Sequence, residues 1–85
     1  MSYAVELSRG ASKFINKLSI KDFKLVAKAI DSLASDPYQL GTKKLQAYHN
    51  TFRIRAGNFR IIYTVDSGKL VVVVVDIGDR KDIYN

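Results

Sequence analysis

The spacing of apolar and polar positions changes along the chain, and the changes divide it into predicted elements. At the start, Tyr3-Ala4-Val5-Glu6-Leu7 alternates with period two, which predicts a short strand carrying Tyr3, Val5 and Leu7 on one face. Ala11, Phe14, Ile15 and Leu18 then recur at helical spacing behind Ser8, a residue suited to an N-cap, so a helix of roughly two turns ending near Ser19 is expected. Ser19-Ile20-Lys21-Asp22 resembles a capping box with Asp in place of Glu. It opens a second helical pattern through Phe23, Val26, Ala27, Ile30, Leu33 and Ala34. Lys21, Lys24 and Lys28 fall on the opposite side and read as a solvated face. Asp36-Pro37 ends this helix, because proline disfavours helical backbone in the residue before it. The two helices read as an αα-hairpin.

Beyond a linker through Gly41 the pattern turns to β. Phe52-Arg53-Ile54-Arg55-Ala56 alternates, Gly57-Asn58 supplies a two-residue turn, and Phe59-Arg60-Ile61-Ile62-Tyr63-Thr64-Val65 answers it. Asp66-Ser67-Gly68-Lys69 forms a second turn. It leads into residues 70–77, a run so apolar and β-branched that both faces are expected to be covered, as in the central strand of a sheet. The predicted class is α+β in the order β-α-α-β-β-β, an antiparallel meander with the helical hairpin packed on one face. No internal repeat or interdomain linker is visible, and residues 1–85 read as one domain.

Length and charge sharpen this picture. A chain of 85 residues buries only about 60% of the surface its unfolded form exposes, and with no cysteine it has neither disulfides nor thiolate metal sites to supplement the core. The opening residues 1–6 lack a basic stretch followed by an apolar one, and the longest apolar run is far short of the roughly 20 residues that span a bilayer. A cytoplasmic protein without membrane association is therefore expected. The net charge is +6, and its distribution matters more than its size. Residues 37–65 hold no Asp or Glu but contain Lys43, Lys44, Arg53, Arg55 and Arg60. Such a one-sided field suits a polyanionic partner, because each neutralised phosphate releases condensed counterions.

If Gly57-Asn58 is a two-residue turn, Ala56 pairs with Phe59 and Arg55 lies opposite Arg60, on the face that also carries Arg53. Like charges opposite one another destabilise a strand pair, so here sheet stability conflicts with whatever else these residues do. The last strand is followed by Gly78-Asp79-Arg80-Lys81-Asp82-Ile83-Tyr84, which on a curved sheet returns Arg80 and Tyr84 toward the arginines. Arginine offers planar, bidentate recognition of phosphate, and a tyrosine ring gives a nucleobase a face to stack on. In the bland alternative, Arg80 pairs with Asp79 or Asp82 and Tyr84 covers a core edge. Other active-site signatures are missing. His49 is the only histidine, which rules out a two-histidine acid/base pair and makes a poor metal site, and it reads as a loop residue. There is no glycine-rich phosphate loop and no Ser/His/Asp context, so no cofactor and no metal is expected.

Lys44-Leu45, the hairpin over residues 52–63, and residues 77–84 together resemble the RelE branch of the RelE/ParE toxin superfamily, across nearly the whole chain. The specific part is the arginine-bearing hairpin followed one strand later by Gly-x-Arg and a terminal aromatic. The resemblance implies a RelE-like, microbial-RNase-like fold. It also implies a toxin that occupies the ribosomal A site, against 16S rRNA, and cuts the exposed mRNA codon by driving a 2′-hydroxyl onto the adjacent phosphate. Arg60 would stabilise charge on that phosphate, Arg80 would assist the leaving oxygen, and Tyr84 would orient the target nucleotide. Arg53 and Arg55 match basic positions often held by lysine, one of which serves as the base. Arginine is effectively always protonated, so electrostatic catalysis by clustered guanidinium groups is the consistent alternative at Arg55. Lys43, Lys44 and Arg53 would contact RNA or the ribosome.

The resemblance further implies a cognate RelB-like antitoxin that covers the helices and neutralises the basic face, with a heterotetramer binding operator DNA as a possible assembly. Two rival readings remain. One keeps the fold and makes the protein a ParE-type DNA gyrase poison. The other is a small basic nucleic-acid-binding module without catalysis.

Overall fold

The computed structural model describes residues 2–79. The strand β1, Ala4–Leu7, leads into α1, Arg9–Asn16, and α2, Ile20–Ser35. Four strands follow: β2, Lys43–Lys44; β3, Thr51–Ala56; β4, Phe59–Asp66; and β5, Val71–Asp79. They form one five-stranded sheet in the order β1-β5-β4-β3-β2.

Both helices start where a serine caps them. The Ser8 side chain accepts from the Ala11 amide at 3.1 Å, and Ser19 accepts from the Asp22 amide at 3.2 Å, each satisfying a donor that the first turn leaves open. Ser8 also donates its hydroxyl to the Val75 carbonyl at 3.0 Å, so one residue starts α1 and ties the strand–helix joint to β5. At the other end of α2, Asp36 adopts extended backbone ahead of Pro37, and its carboxylate accepts from the Tyr38 amide at 2.9 Å.

Both helices pack on one face of the sheet. Ala11, Ile15, Val26, Ile30 and Leu33 from the helices meet Ile54, Ala56, Phe59, Ile61, Tyr63, Val65, Val72, Val74 and Ile77 from the strands, all of them buried. Phe14 meets Phe59 edge-on with ring centroids 6.0 Å apart. Tyr63 is completely buried and anchors the linker after α2: its hydroxyl donates to the Pro37 carbonyl at 2.6 Å and lies 3.2 Å from the Thr42 hydroxyl. Burial, reinforced by the nearby Asp36 charge, raises the Tyr63 phenol above its ordinary pKa of 10.0, although the Thr42 hydrogen bond pulls the other way.

Three features differ from the expectation. First, β1 joins the sheet parallel to β5, with Val5 beside Val72, so the sheet is mixed and only β2 to β5 are antiparallel. β1 binds where β5 has a free edge, and the chain then turns directly into α1. Second, β4 rather than β5 is the middle strand, and β5 is not covered on both faces. Val71 and Val73 are half-buried and Val75 is 40% exposed, because both helices lie on the other side. A bulge contributes: Ile62 pairs with Asp76 and Tyr63 with Val74, leaving Val75 as the extra residue of β5. Third, β5 begins at Val71, since Leu70 has φ of 56° and closes the preceding turn in the left-handed region.

The hairpin forms as its turn dictates. Gly57 has φ of 61°, and the register sets Ala56 opposite Phe59, Arg55 opposite Arg60, and Arg53 opposite Ile62. The short β2 adds a second like-charge pair, Lys43 opposite Arg53.

Replacing the fully buried Leu33 with alanine is expected to cost about 2–5 kcal/mol in urea unfolding. Tyr63→Phe leaves the Pro37 carbonyl without its donor and should cost about 1–3 kcal/mol at neutral pH. The sign of the pH effect follows from the raised phenol: its contribution is complete below the unfolded value near 10 and is lost as pH rises through the higher folded value. Alkaline destabilisation should accordingly be weaker in Tyr63→Phe. Lys43→Thr should raise stability by about 0.2–1 kcal/mol at low salt by removing a like-charge pair, and the gain should shrink in ~1 M salt, where screening acts within about 3 Å.

Candidate active site

Strand alternation decides which side chains reach the face that the helices leave open. Ile54, Ile61 and Tyr63 point into the core, so their neighbours Arg53, Arg55, Arg60, Ile62 and Thr64 point the other way. Two rows of the sheet carry the cations. One runs Lys43, Arg53, Ile62 and the next runs Arg55, Arg60, Gly78. Four positive residues from β2, β3 and β4 thus meet at one end of the open face.

They are not equivalent. Arg55 is exposed, Arg53 half-buried, and Arg60 only 9% exposed, with its Nε and Nη2 atoms shielded from solvent. Gly78, opposite Arg60, puts no side chain over the guanidinium. An arginine keeps its charge when buried, and a partly desolvated cation attracts an anion more strongly than a hydrated one. Arg60 is therefore the fixed electrostatic centre of the group, and Arg53, Arg55 and Lys43 form its accessible rim. Asp76, opposite Ile62, brings negative charge from β5 and bounds the cluster on that side. Arginine has no acceptor site, so these side chains can hold and stabilise an anion but cannot take a proton from a hydroxyl.

The structure brings Arg53, Arg55, Arg60 and Lys43 together and separates Lys44 from them. Lys44 pairs with Phe52, a core-facing position, so alternation directs it to the opposite side of the sheet edge. Arg80 and Tyr84 lie outside the described residues. His49 is exposed in the loop before β3, and its Nε2 lies 3.1 Å from Asn50 Nδ2. No group of three or more His, Cys, Asp or Glu positioned to hold a metal occurs among the described residues. Also among the described residues, no helix is long and apolar enough to cross a membrane.

One part of the open face had no counterpart in the sequence reading. Beside the cations lies an apolar hollow lined by Leu45, Tyr48, Thr51, Ile62, Thr64 and Val75. The available signal was Tyr48, an aromatic residue in a loop inside the stretch that lacks acidic residues.

Comparison with known proteins agrees with this architecture. The profile of the ParE toxin of type II toxin-antitoxin systems, parDE, matches residues 5–84. A putative RelE-like toxin protein of Escherichia coli is 30% identical over 89 residues, covering 100% of this chain and 93% of that protein. Toxin RelG of Mycobacterium tuberculosis is 28% identical over 85 residues, covering 99% of this chain and 98% of its own. In fold, the chain matches the toxin-antitoxin complex RelBE2 of Mycobacterium tuberculosis with a TM-score of 0.82 at 24% identity, over 94% of this chain and 100% of that one. The chain belongs to the ParE toxin family, within the RelE/ParE superfamily of type II toxin-antitoxin systems.

Proposed function

We propose that this toxin is a ribosome-dependent endoribonuclease that cuts mRNA in the A site and so inhibits translation. The observation that carries this reading is the gathering of Arg53, Arg55, Arg60 and Lys43 on the helix-free face. In the reaction, the 2′-hydroxyl of an A-site nucleotide loses its proton and its oxygen bonds to the adjacent phosphorus. The bond from phosphorus to the 5′-oxygen breaks, and that oxygen leaves as a hydroxyl after taking up a proton. The products are a 2′,3′-cyclic phosphate and a 5′-hydroxyl. Arg60 stabilises the charge that builds on the phosphate oxygens, and Arg55 adds to the same field rather than acting as a base. The 2′-proton passes to water or to a ribosomal group. Arg53 and Lys43 hold the flanking backbone. Arg80 assists the leaving oxygen and Tyr84 orients the nucleotide, as expected from the resemblance. The reaction uses no metal and no cofactor.

The partners follow from this reading: the ribosome with 16S rRNA at its A site, mRNA, and a RelB-like antitoxin that silences the toxin in the cytoplasm. The antitoxin has apolar surface to cover on α2, where Ile20, Phe23 and Leu25 are exposed. It can fold on binding there while neutralising the basic face, and a heterotetramer of the two proteins would bind operator DNA. A second reading is favoured by the ParE profile itself, namely a DNA gyrase poison with the same fold.

Primer extension on programmed ribosomes separates the two. Cleavage within the A-site codon is expected, falling by about 10²-fold or more in Arg60→Ala and in Arg80→Ala, with partial recovery in Arg60→Lys. Absence of cleavage together with inhibited gyrase supercoiling would assign the protein to the second reading.

A further inference from the structure

The hollow beside the arginines is an apolar recess on the helix-free side of the sheet. Ile62 and Thr64 of β4, Thr51 of β3 and the bulged Val75 of β5 make its floor, while Leu45 and Tyr48 rise over it from the loop before β3. That loop is held in place. The Leu45 amide donates to the Thr51 carbonyl at 2.9 Å, the Tyr48 amide donates to the Leu45 carbonyl at 3.2 Å, and the Thr51 hydroxyl donates to the His49 carbonyl at 2.9 Å. The Tyr48 ring nevertheless remains 64% exposed, and Val75 is 40% exposed. In a sheet face built from a single layer, this apolar surface has no partner within the described chain.

Its position indicates the occupant. Ile62 lies directly opposite Arg53 and two residues from Arg60 on the same strand face, a separation of roughly 6.6 Å along the strand. Lys43 continues the row beyond Arg53. A single-stranded nucleotide joins an anionic phosphate to a flat, largely apolar base, and a cationic grip next to an apolar hollow matches both halves of it. Asp76, exposed opposite Ile62, repels phosphate from the far side of the hollow and so fixes the order, with phosphate over the cations and base over Ile62 and Val75. An apolar side chain of a protein partner would fill the hollow without engaging the positive charge of Arg53 and Lys43 beside it.

We infer that Leu45, Tyr48, Thr51, Ile62, Thr64 and Val75 form a nucleobase subsite, in which Tyr48 stacks on one base of a single-stranded RNA whose phosphate is held by Arg53. The inference rests on the RNA reading of the basic face. Tyr48 is a positioning residue of the bound strand and takes no part in bond breaking.

The test uses the full-length protein and a fluorescently labelled RNA hexanucleotide, alongside a hexamer of the same backbone without bases, with affinity read by anisotropy at low salt. Tyr48→Ala should weaken binding of the intact RNA about 10-fold and leave the base-free RNA within twofold, while Tyr48→Phe should bind as the parent does. Tyr48→Leu, which keeps apolar bulk without the ring, should resemble Tyr48→Ala for the intact RNA. Unchanged affinity of Tyr48→Ala for the intact RNA, or an equal loss for both RNAs, would overturn the subsite. An effect of Tyr48→Ala on binding to a purified antitoxin but not to RNA would overturn it also, in favour of a protein occupant. A protein that binds RNA in this Tyr48-dependent way without cutting ribosomal mRNA would sink the cleavage reading and leave the subsite standing. One that cuts and shows no Tyr48 dependence would do the reverse.

Discussion

Two short helices can cover only one face of a five-stranded sheet, and the remaining properties of this protein follow from that limit. β3, β4 and β5 send one alternating set of apolar residues toward α1 and α2, so the core gathers on one side in Ile54, Ile61, Tyr63, Val65, Val72 and Val74. The alternating positions are then released from packing and become available for charge. Arg53, Arg55 and Arg60 occupy such positions, and moving any of them one residue along would bury a guanidinium in the core. The same limit leaves Val71, Val73 and Val75 incompletely covered, and it opens the hollow beneath Tyr48.

Stability and charge compete on that open face. The tight turn at Gly57 and Asn58 sets Arg55 against Arg60, and β2 sets Lys43 against Arg53, two arrangements that weaken strand pairing. The core compensates from the other side. Tyr63 fastens the linker after α2 to the middle of the sheet, and Phe52 stacks beside it with centroids 6.0 Å apart. A sheet held this firmly on one face can keep four cations on the other. The resulting field sits on rigid strands, which suits preorganised stabilisation of an anion.

Much of this arrangement was legible along the chain because it depends on local chemistry. The serines at positions 8 and 19, the proline at 37 and the glycine at 57 each act within a few residues, and they set the helix starts, the end of α2 and the hairpin register. That register by itself predicted the facing of Arg55 and Arg60. Features that depend on distant segments were not legible. The alternation of β1 shows which of its residues share a face, but not that its partner is β5 or that the two run parallel. β2 has two residues, too few for any periodicity. The apolar run of β5 suggested cover on both faces, whereas the bulge at Val75 and the absence of a second layer left one side partly open. The burial of Arg60 and the hollow under Tyr48 likewise exist only once strands and loop are assembled. Membership of the toxin family was carried by the arginine hairpin, and the matched profile over residues 5–84 agrees with it.

The central proposal is that the cationic face drives a 2′-hydroxyl onto the neighbouring phosphate. The most direct test places the protein on ribosomes programmed with an mRNA whose A-site codon is either all-ribose or carries 2′-deoxyribose at the nucleotide before the cut, followed by analysis of the product ends. The expected result is cleavage of the ribose codon to a 2′,3′-cyclic phosphate and a 5′-hydroxyl, with none of the deoxy codon. Cleavage that persists at the deoxy nucleotide, or a product bearing a 5′-phosphate, would contradict it.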